Sequence, residues 1–374
     1  MAYAVGQWQG GSPSGRGERP GFVPCCAATI DVFRPPPGTE HLSRTSQLAV
    51  AAAEEALLSA ELETRAAVRK VAVSVGTSKP LIESSGSLRI RPPCGWSDFL
   101  PDAPARAICD RFGLIRVHAT VSACSTGLHA IIRGAEMIRD GEAEIVLAGS
   151  ADSSLSPLWL AAYRNMGVLA EEHPELGPAW TCRPFDRHRN GFVVGEGAAV
   201  VVLESAASAT RRGVSPWARL QGWASGSDPA GLAQVSESGA PLAEVVQAAL
   251  DHGSVHPQDV SCVYAHGTAT PQNDLAEINC FRQVFGQHLT SLPVVSTKGA
   301  IGHLMGAAGA IETALAVQAR RDGRSPGTAT LVEPDPAFVG LCLPTTSFDL
   351  AAGAILKTSL SFGGHLATIV VQKP

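Results

Sequence analysis

The sequence predicts an α/β protein with a mainly parallel or mixed sheet, covered on both faces and built from two similar halves. Three observations carry this. Short β-branched and apolar runs alternate with segments of helical spacing along most of the 374 residues, the pattern of strands buried between helices. The same grammar returns in the second half. Helix, strand and the turn Val75-Gly76-Thr77-Ser78 recur as helix, strand and His266-Gly267-Thr268-Ala269, and Val121-Ser122-Ala123-Cys124 recurs as Val295-Ser296-Thr297-Lys298. Hydrophobic residues at 45% against charged residues at 17% supply a sizeable core and exclude a charge-rich disordered chain.

Residues 1–44 read as an atypical, irregular segment, because GQWQGGSPSGRGERPG and FRPPPGTE are turn chemistry with little periodicity. Regular signals begin at Ser46, where SQLAVAAAEEALLSAEL collects strong helix formers. VRKVAVSVGTS is a buried strand ending in a glycine turn, and a loop-rich stretch with RIRPPCGW and LPDAPA follows. IRVHATVSA is strand-like, and STGLHAIIRGAEMIRDG is helical, with Gly141 placed as a stop. AEIVLAGSA is another buried strand. In the second half PLAEVVQAALDHG and GHLMGAAGAIETALAVQARRDG are helices, while VSCVYAHGTAT, LPVVSTKGA, ILKTSLSF and LATIVVQ carry strands. The expected organisation is the segment 1–44, a first half over 45–210 and a second half over 211–374.

Lys+Arg 29 against Asp+Glu 34 gives a net charge of −5, which argues against nucleic acid as a partner. The nine cysteines are odd in number and irregularly spaced, with no C-x-x-C. That points away from a disulfide framework or structural zinc and toward a reducing, cytoplasmic setting. No basic cluster followed by an apolar run marks a secretory signal, and no apolar run approaches a membrane span.

Three residues stand at strand-to-helix transitions: Cys124 in ATVSACSTGLHAI, His266 in VYAHGTATPQND and His303 in STKGAIGHLMGAAGA. A thiol at a helix N-terminus meets the positive end of the helix dipole and free N–H groups, both of which favour thiolate. The competing reading is a small apolar filler for Cys124 and satisfied structural histidines for the other two. Ligands of open α/β sheets collect beyond the carboxyl ends of strands, so the three can share one cavity, with Lys298 in the same turn as His303. A cysteine attacks a thioester to form an acyl-enzyme, and two imidazole donors stabilise an enolate or oxyanion. Metal ligation is the rival use, disfavoured by the absence of local ligand spacing. Asp274 and Glu277 read as helix N-terminal charges. Residues 184–197, PFDRHRNGFVVGEG, read as an ion-pair network rather than a phosphate loop, and ARRDGR at 319–324 as a solvated helix end.

The segments ATVSACSTGLHAI, CRPFDRHRNGFVVGEGAAVVVLE, AHGTATPQND and STKGAIGHLMGAAGAIE resemble the β-ketoacyl-acyl-carrier-protein synthases, the elongating condensing enzymes of fatty acid and polyketide synthesis. The resemblance runs from about Ser46 to the C-terminus. It implies a thiolase-like five-layer α-β-α-β-α fold of two similar halves, usually a homodimer, with a heterodimer of related synthases as the variant. It implies that Cys124 is the nucleophile, His266 and His303 the catalytic histidines, Lys298 the active-site lysine and Glu312 its acidic partner. Phe362 falls on the gating position whose N–H joins that of Cys124 in an oxyanion hole. The implied reaction is decarboxylative condensation of an acyl thioester with malonyl-acyl-carrier protein. No metal or organic cofactor is implied, since the carrier's phosphopantetheine brings the substrate. A non-catalytic partner subunit of an active synthase and an acyltransferase on the same fold are the alternatives.

Three departures from the family pattern stand out. The opening hydrophobic strand with its T-G-x-G motif is not found, AYAVGQWQGG being a poor substitute, so the first strand is expected to be missing, replaced or wrongly started. The stretch between Ser78 and Arg116 is short. Ser361 replaces a glycine before Phe362, which predicts a stiffer gate.

Overall fold

The computed structural model describes residues 3–8, 25–62, 71–79, 99–172 and 175–374. Cys94 and the proline-rich run around it lie outside them, as do residues 9–24.

The chain begins with strands β1 (Tyr3–Trp8) and β2 (Cys25–Ile30), paired antiparallel. This corrects the irregular reading of residues 1–44. CCAATI has few β-branched residues, yet Ala27 and Ala28 are buried; β2 forms because it completes a sheet edge, a tertiary cause that local pattern does not carry. Helix α1 (Arg44–Ser59) follows, capped by Ser43, whose hydroxyl accepts the Ser46 N–H. Then come β3 (Val71–Gly76), α2 (Ala103–Phe112), the two-residue β4 (Val117–His118), α3 (Thr126–Arg139), β5 (Ile145–Ser153), α4 (Pro157–Asn165), β6 (Val194–Glu204) and α5 (Ala206–Arg212). The second half supplies β7 (Arg219–Ser227), α6 (Ala240–Gly253), β8 (Val260–Tyr264), α7 (Pro271–Phe285), β9 (Val294–Val295), the one-turn α8 (Lys298–Ile301) and α9 (Ala308–Asp322). A small ribbon, β10 (Arg324–Ser325) with β11 (Phe348–Asp349), precedes β12 (Ala354–Leu360) and β13 (His365–Gln372).

Two mixed sheets result, ordered β1-β2-β6-β5-β3-β4 and β7-β13-β12-β8-β9. In each, the inner strands repeat: β3 pairs parallel with β5 and β4, as β8 does with β12 and β9, and β6 runs antiparallel to β5 as β13 does to β12. The repeat fails at one edge. β7 is antiparallel to β13 along its length, whereas β2 is parallel to β6 over Ala27 and Ala28 alone. The first sheet thus has strands at this edge, but they pair differently from β7 in the second.

Alternation along each strand sets five layers. Val71, Val73 and Val75 of β3 face a cluster with α1 and α2, while Ala72 faces Ile131 of α3 and Ala310 of α9. Across that central layer, Leu128, Ile132 and Ala316 meet Tyr264, Ile355 and Ile369 of the second sheet. Its far face packs Val263, Leu356 and Val370 against Val246, Ile278 and Phe281 of α6 and α7. Helices α3 and α9 cross closely: a Cβ on Gly127 would lie 2.4 Å from the Ala310 nitrogen. Among the described residues, no helix is long and apolar enough to cross a membrane.

Candidate active site

Cys124 lies in a one-turn 3-10 helix, Ala123–Ser125, that runs into α3. Ala123 has φ 45°, a left-handed backbone costing a residue with Cβ about 1–3 kcal/mol. Hydroxyls hold it there. Thr126 Oγ1 donates to the Ala123 carbonyl at 2.7 Å and accepts the Ser122 N–H at 2.9 Å, and Ser125 Oγ donates to the Ser122 carbonyl at 2.8 Å. The second half uses the same device: Met305, φ 49°, starts the 3-10 turn Met305–Ala307 that runs into α9. The counterpart of the Cys124 turn is therefore Met305–Ala307. Lys298 opens only the one-turn α8, which corrects the match of Val295-Ser296-Thr297-Lys298 to Val121-Ser122-Ala123-Cys124.

The two 3-10 turns pack against each other, bringing Cys124 to the segment that carries His303. His303 is fixed by its backbone: its N–H donates to Val193 at 2.7 Å and its carbonyl accepts from Gly195 at 2.9 Å. His266 follows β8. Its N–H and that of Gly267 donate to the Glu277 carboxylate at 2.7 and 2.6 Å. The two imidazoles meet edge to face with centroids 5.2 Å apart at 84°, and His303 packs in the same manner on Phe192. Burial, then the Lys298 charge, pushes both rings well below the ordinary histidine value, so both are neutral at pH 7. Neither Nδ1 has a partner among the described residues.

Lys298 is 0% exposed and donates to the His266 carbonyl and to Glu312, each at 2.5 Å. Glu312 also pairs with Lys357 at 2.8 Å. Lys357 escaped the sequence reading, although a lysine inside the apolar run ILKTSLSF was the available signal: a buried ammonium requires a buried partner. Its pKa is lowered by burial, with Glu312 opposing and Lys298 adding to the fall.

Cys124 is 3% exposed, and burial pushes its thiol up to about 12, with Lys79 and Lys298 opposing and Asp152 adding to the rise. The helix end alone favoured thiolate; burial outweighs it, and the free protein holds a protonated thiol. Phe362, half-buried, packs on the apolar cluster that contains Cys124, Leu160, Tyr163, Phe192 and Met305. Ser361 is tied to the nucleophile turn, its Oγ donating to the Ser122 carbonyl at 3.0 Å and lying 3.1 Å from Ser125 Oγ. Cys124, His266, His303, Lys298, Glu312 and Phe362 are thus brought into one region between the halves.

Other polar residues take supporting places. Glu277 is not a helix-end charge but a buried clamp, which also accepts from Asn273 and from Thr358 at 2.9 Å. Asp274 does lie in the first turn of α7, but it accepts the Phe185 and Ala269 N–H groups, and burial pushes it up to about 6. Residues 184–197 form ion pairs as read, through Arg183–Asp186, Arg189–Asp335 and Arg44–Glu196. In ARRDGR, Arg320 departs from the solvated reading: it is buried and donates to the carbonyls of Ala351 and Gly353.

Five layers in two similar halves, with the cysteine and both histidines where the halves meet, are the architecture of the thiolase-like condensing enzymes. The chain belongs to the β-ketoacyl synthase family: the model described as Beta-ketoacyl synthase, N-terminal domain, matches residues 29–209, and its C-terminal domain counterpart matches residues 217–331. It is 38% identical over 251 residues to the oxytetracycline polyketide putative beta-ketoacyl synthase 1 of Streptomyces rimosus, covering 67% of this chain and 59% of that one. It is 33% identical over 348 residues to the tetracenomycin polyketide synthase ketoacyl synthase alpha subunit of Streptomyces glaucescens, covering 88% and 81%. A type II polyketide ketosynthase solved with its acyl-carrier protein and bound to the hexaketide superposes with TM-score 0.83 at 27% identity, covering 93% of this chain and 88% of that one. The chain therefore spans less than two thirds of the Streptomyces rimosus relative's length.

Proposed function

We propose that the protein catalyses decarboxylative condensation of an acyl thioester with malonyl-acyl-carrier protein, giving a 3-oxoacyl-acyl-carrier protein in fatty acid or polyketide synthesis. The observation that carries this is the pair of buried, neutral imidazoles, 5.2 Å apart with unpartnered Nδ1 atoms, beside the turn that bears Cys124. A neutral imidazole keeps one N–H, so each ring has a hydrogen bond to donate to the developing enolate.

Cys124 Sγ bonds to the acyl carbon, the carbon–sulfur bond to the carrier breaks, and the thiol proton leaves on the carrier's phosphopantetheine. The backbone N–H groups of Cys124 and Phe362 are the oxyanion donors in this reading. Malonyl thioester then loses CO₂, His266 and His303 donating to the enolate oxygen. The carbanion attacks the acyl-enzyme, the carbon–sulfur bond to Cys124 breaks, and the thiolate takes up a proton from solvent to restore the thiol. Lys298, paired with Glu312, orients His266 through its carbonyl and supplies positive potential. The reaction draws on no resident cofactor. The partners are an acyl-carrier protein and a second synthase chain, as homodimer or heterodimer; eight free cysteines among the described residues support a reducing cytoplasm.

The differently paired edge strand favours a second reading, a partner subunit that shapes an active synthase without turning over. Intact mass after incubation with an acyl-carrier thioester separates the two. The parent protein gains one acyl group and Cys124→Ala gains none, while Cys26→Ala and Cys182→Ala acylate normally. An unmodified parent protein would sink the condensing reading, and acyl mass on Cys124→Ala would sink the nucleophile.

A further inference from the structure

Strand β12 carries a lysine inside an apolar run. Lys357 lies two residues after Ile355, on the face that meets the central layer, and its side chain is 0% exposed. The ammonium pairs with Glu312 at 2.8 Å and donates to the carbonyls of Ala265, at 3.3 Å, and of Thr358. Glu312 thus stands between two ammoniums, those of Lys298 and Lys357. Apolar residues of similar volume often replace buried ionic groups without loss of stability, so stability alone does not account for a charge at this position.

The backbone of His266 does account for it. The two peptide groups that flank the His266 Cα present four polar atoms, and each meets a charged side chain. The Ala265 carbonyl accepts from Lys357 and the His266 carbonyl from Lys298, while the His266 and Gly267 N–H groups donate to Glu277. Lys357 ties the carbonyl side of this frame to the N–H side. It shares Glu312 with Lys298, and the Thr358 carbonyl accepts from it while the Thr358 hydroxyl donates to Glu277. His266 Nδ1 has no partner among the described residues, so the ring takes its direction from this backbone and from His303 beside it. The Lys357 charge also acts on both imidazoles in the direction that keeps them neutral.

We infer that Lys357 is a positioning residue for the decarboxylation step, holding His266 toward the malonyl enolate through the Ala265 carbonyl and through Glu312. This rests on the reading of His266 as a donor to that enolate. The test compares two reactions of the same full chain: decarboxylation of a malonyl-carrier thioester, as kcat and KM, and acyl transfer to Cys124, by intact mass. Lys357→Met keeps the length of the side chain and removes its charge. It lowers kcat for decarboxylation by roughly 10–100-fold, the span of one hydrogen bond to a charged group, leaves KM near the parental value and slows acyl transfer far less. Glu312→Gln and the double variant Lys357→Met/Glu312→Gln complete a cycle. Because Lys357 acts in part through Glu312, the double variant loses less than the product of the two single losses. Parental decarboxylation in Lys357→Met, or an equal loss of both reactions, overturns the positioning role. So does loss of Cys124 acylation in both Lys357 variants, since the lysine then serves the fold and not the reaction. A double variant that loses the full product overturns the route through Glu312. A parent protein that neither acylates nor decarboxylates overturns the condensing reading instead.

Discussion

Cys124 is subject to opposed forces, and burial wins. Its thiol is pushed up to about 12 against the pull of Lys79 and Lys298. Alkylation by a small neutral reagent should then rise about tenfold per pH unit above pH 7 and continue past the usual thiol value of about 8.5, since the thiolate reacts. A plateau near that value would show that the helix end, not burial, sets the thiol. The histidines invite a second test. Because they are neutral donors, His266→Ala or His303→Ala should slow malonyl decarboxylation by about 10²–10³-fold, the cost of one oxyanion donor. Acyl transfer to Cys124, which relies on backbone donors, should suffer less. Parental decarboxylation in both variants would show that the imidazoles do other work. At this scale the site was legible where a motif was local, as at Cys124, His303 and Glu312. It was illegible where the chemistry is tertiary. Lys357 reaches Glu312 from another strand, Lys79 meets Asp152 from 73 positions away, and the protonation of Cys124 follows from burial that no motif records.

Elements tell the same story through geometry. The helices were readable because their apolar spacing serves the layers they join, and α1, α3 and α6 differ from expectation mainly at their ends. The edge of the first sheet was not readable, since β2 owes its place to pairing with β1 and β6 rather than to its own residues. The closeness of α3 to α9 has a direct test. Gly127→Ala places a methyl 2.4 Å from the Ala310 nitrogen, a backbone atom that only helix displacement moves aside. Overpacking of this kind costs about 1–3 kcal/mol, read as a lower urea midpoint at unchanged slope. The loop after β12 offers another test. Ser361 was expected to stiffen the gate because serine resists positive φ, but the glycines that take that backbone are Gly363 and Gly364, at 83° and 75°. What holds Ser361 is its hydroxyl on Ser122 and Ser125. Ser361→Ala, which keeps the Cβ, should therefore broaden the acyl range as fully as Ser361→Gly, longer chains gaining most. A Gly-only effect would return the explanation to backbone freedom.

The whole molecule binds its halves through the layer they share and through the segment of His303. That residue exchanges backbone hydrogen bonds with Val193 and Gly195 at the start of β6, so the second half's histidine is held by the first half's sheet. Folding therefore buries both imidazoles at once, which makes stability depend on pH. An unfolded histidine takes a proton near 6.5, whereas His266 and His303 in the native chain resist it until well below that value. Below pH 6.5 the unfolded state thus binds more protons, and stability falls as pH drops, by up to ~1.4 kcal/mol per pH unit for each ring. Asp274 acts in the other direction. Its carboxyl is pushed from an ordinary 3.8 up to about 6, so from pH 6 down to 3.8 the native state binds the extra proton and offsets one of the two histidines. For these three groups the sum is a net loss of ~1.4 kcal/mol per pH unit across most of that window. Urea midpoints at pH 7.5, 6 and 5 should fall in the parent protein. In the double variant His266→Gln/His303→Gln the contribution of these two rings is gone, so the midpoint should fall less over the same range. A midpoint falling equally in both proteins would show that acid destabilisation originates away from the paired imidazoles.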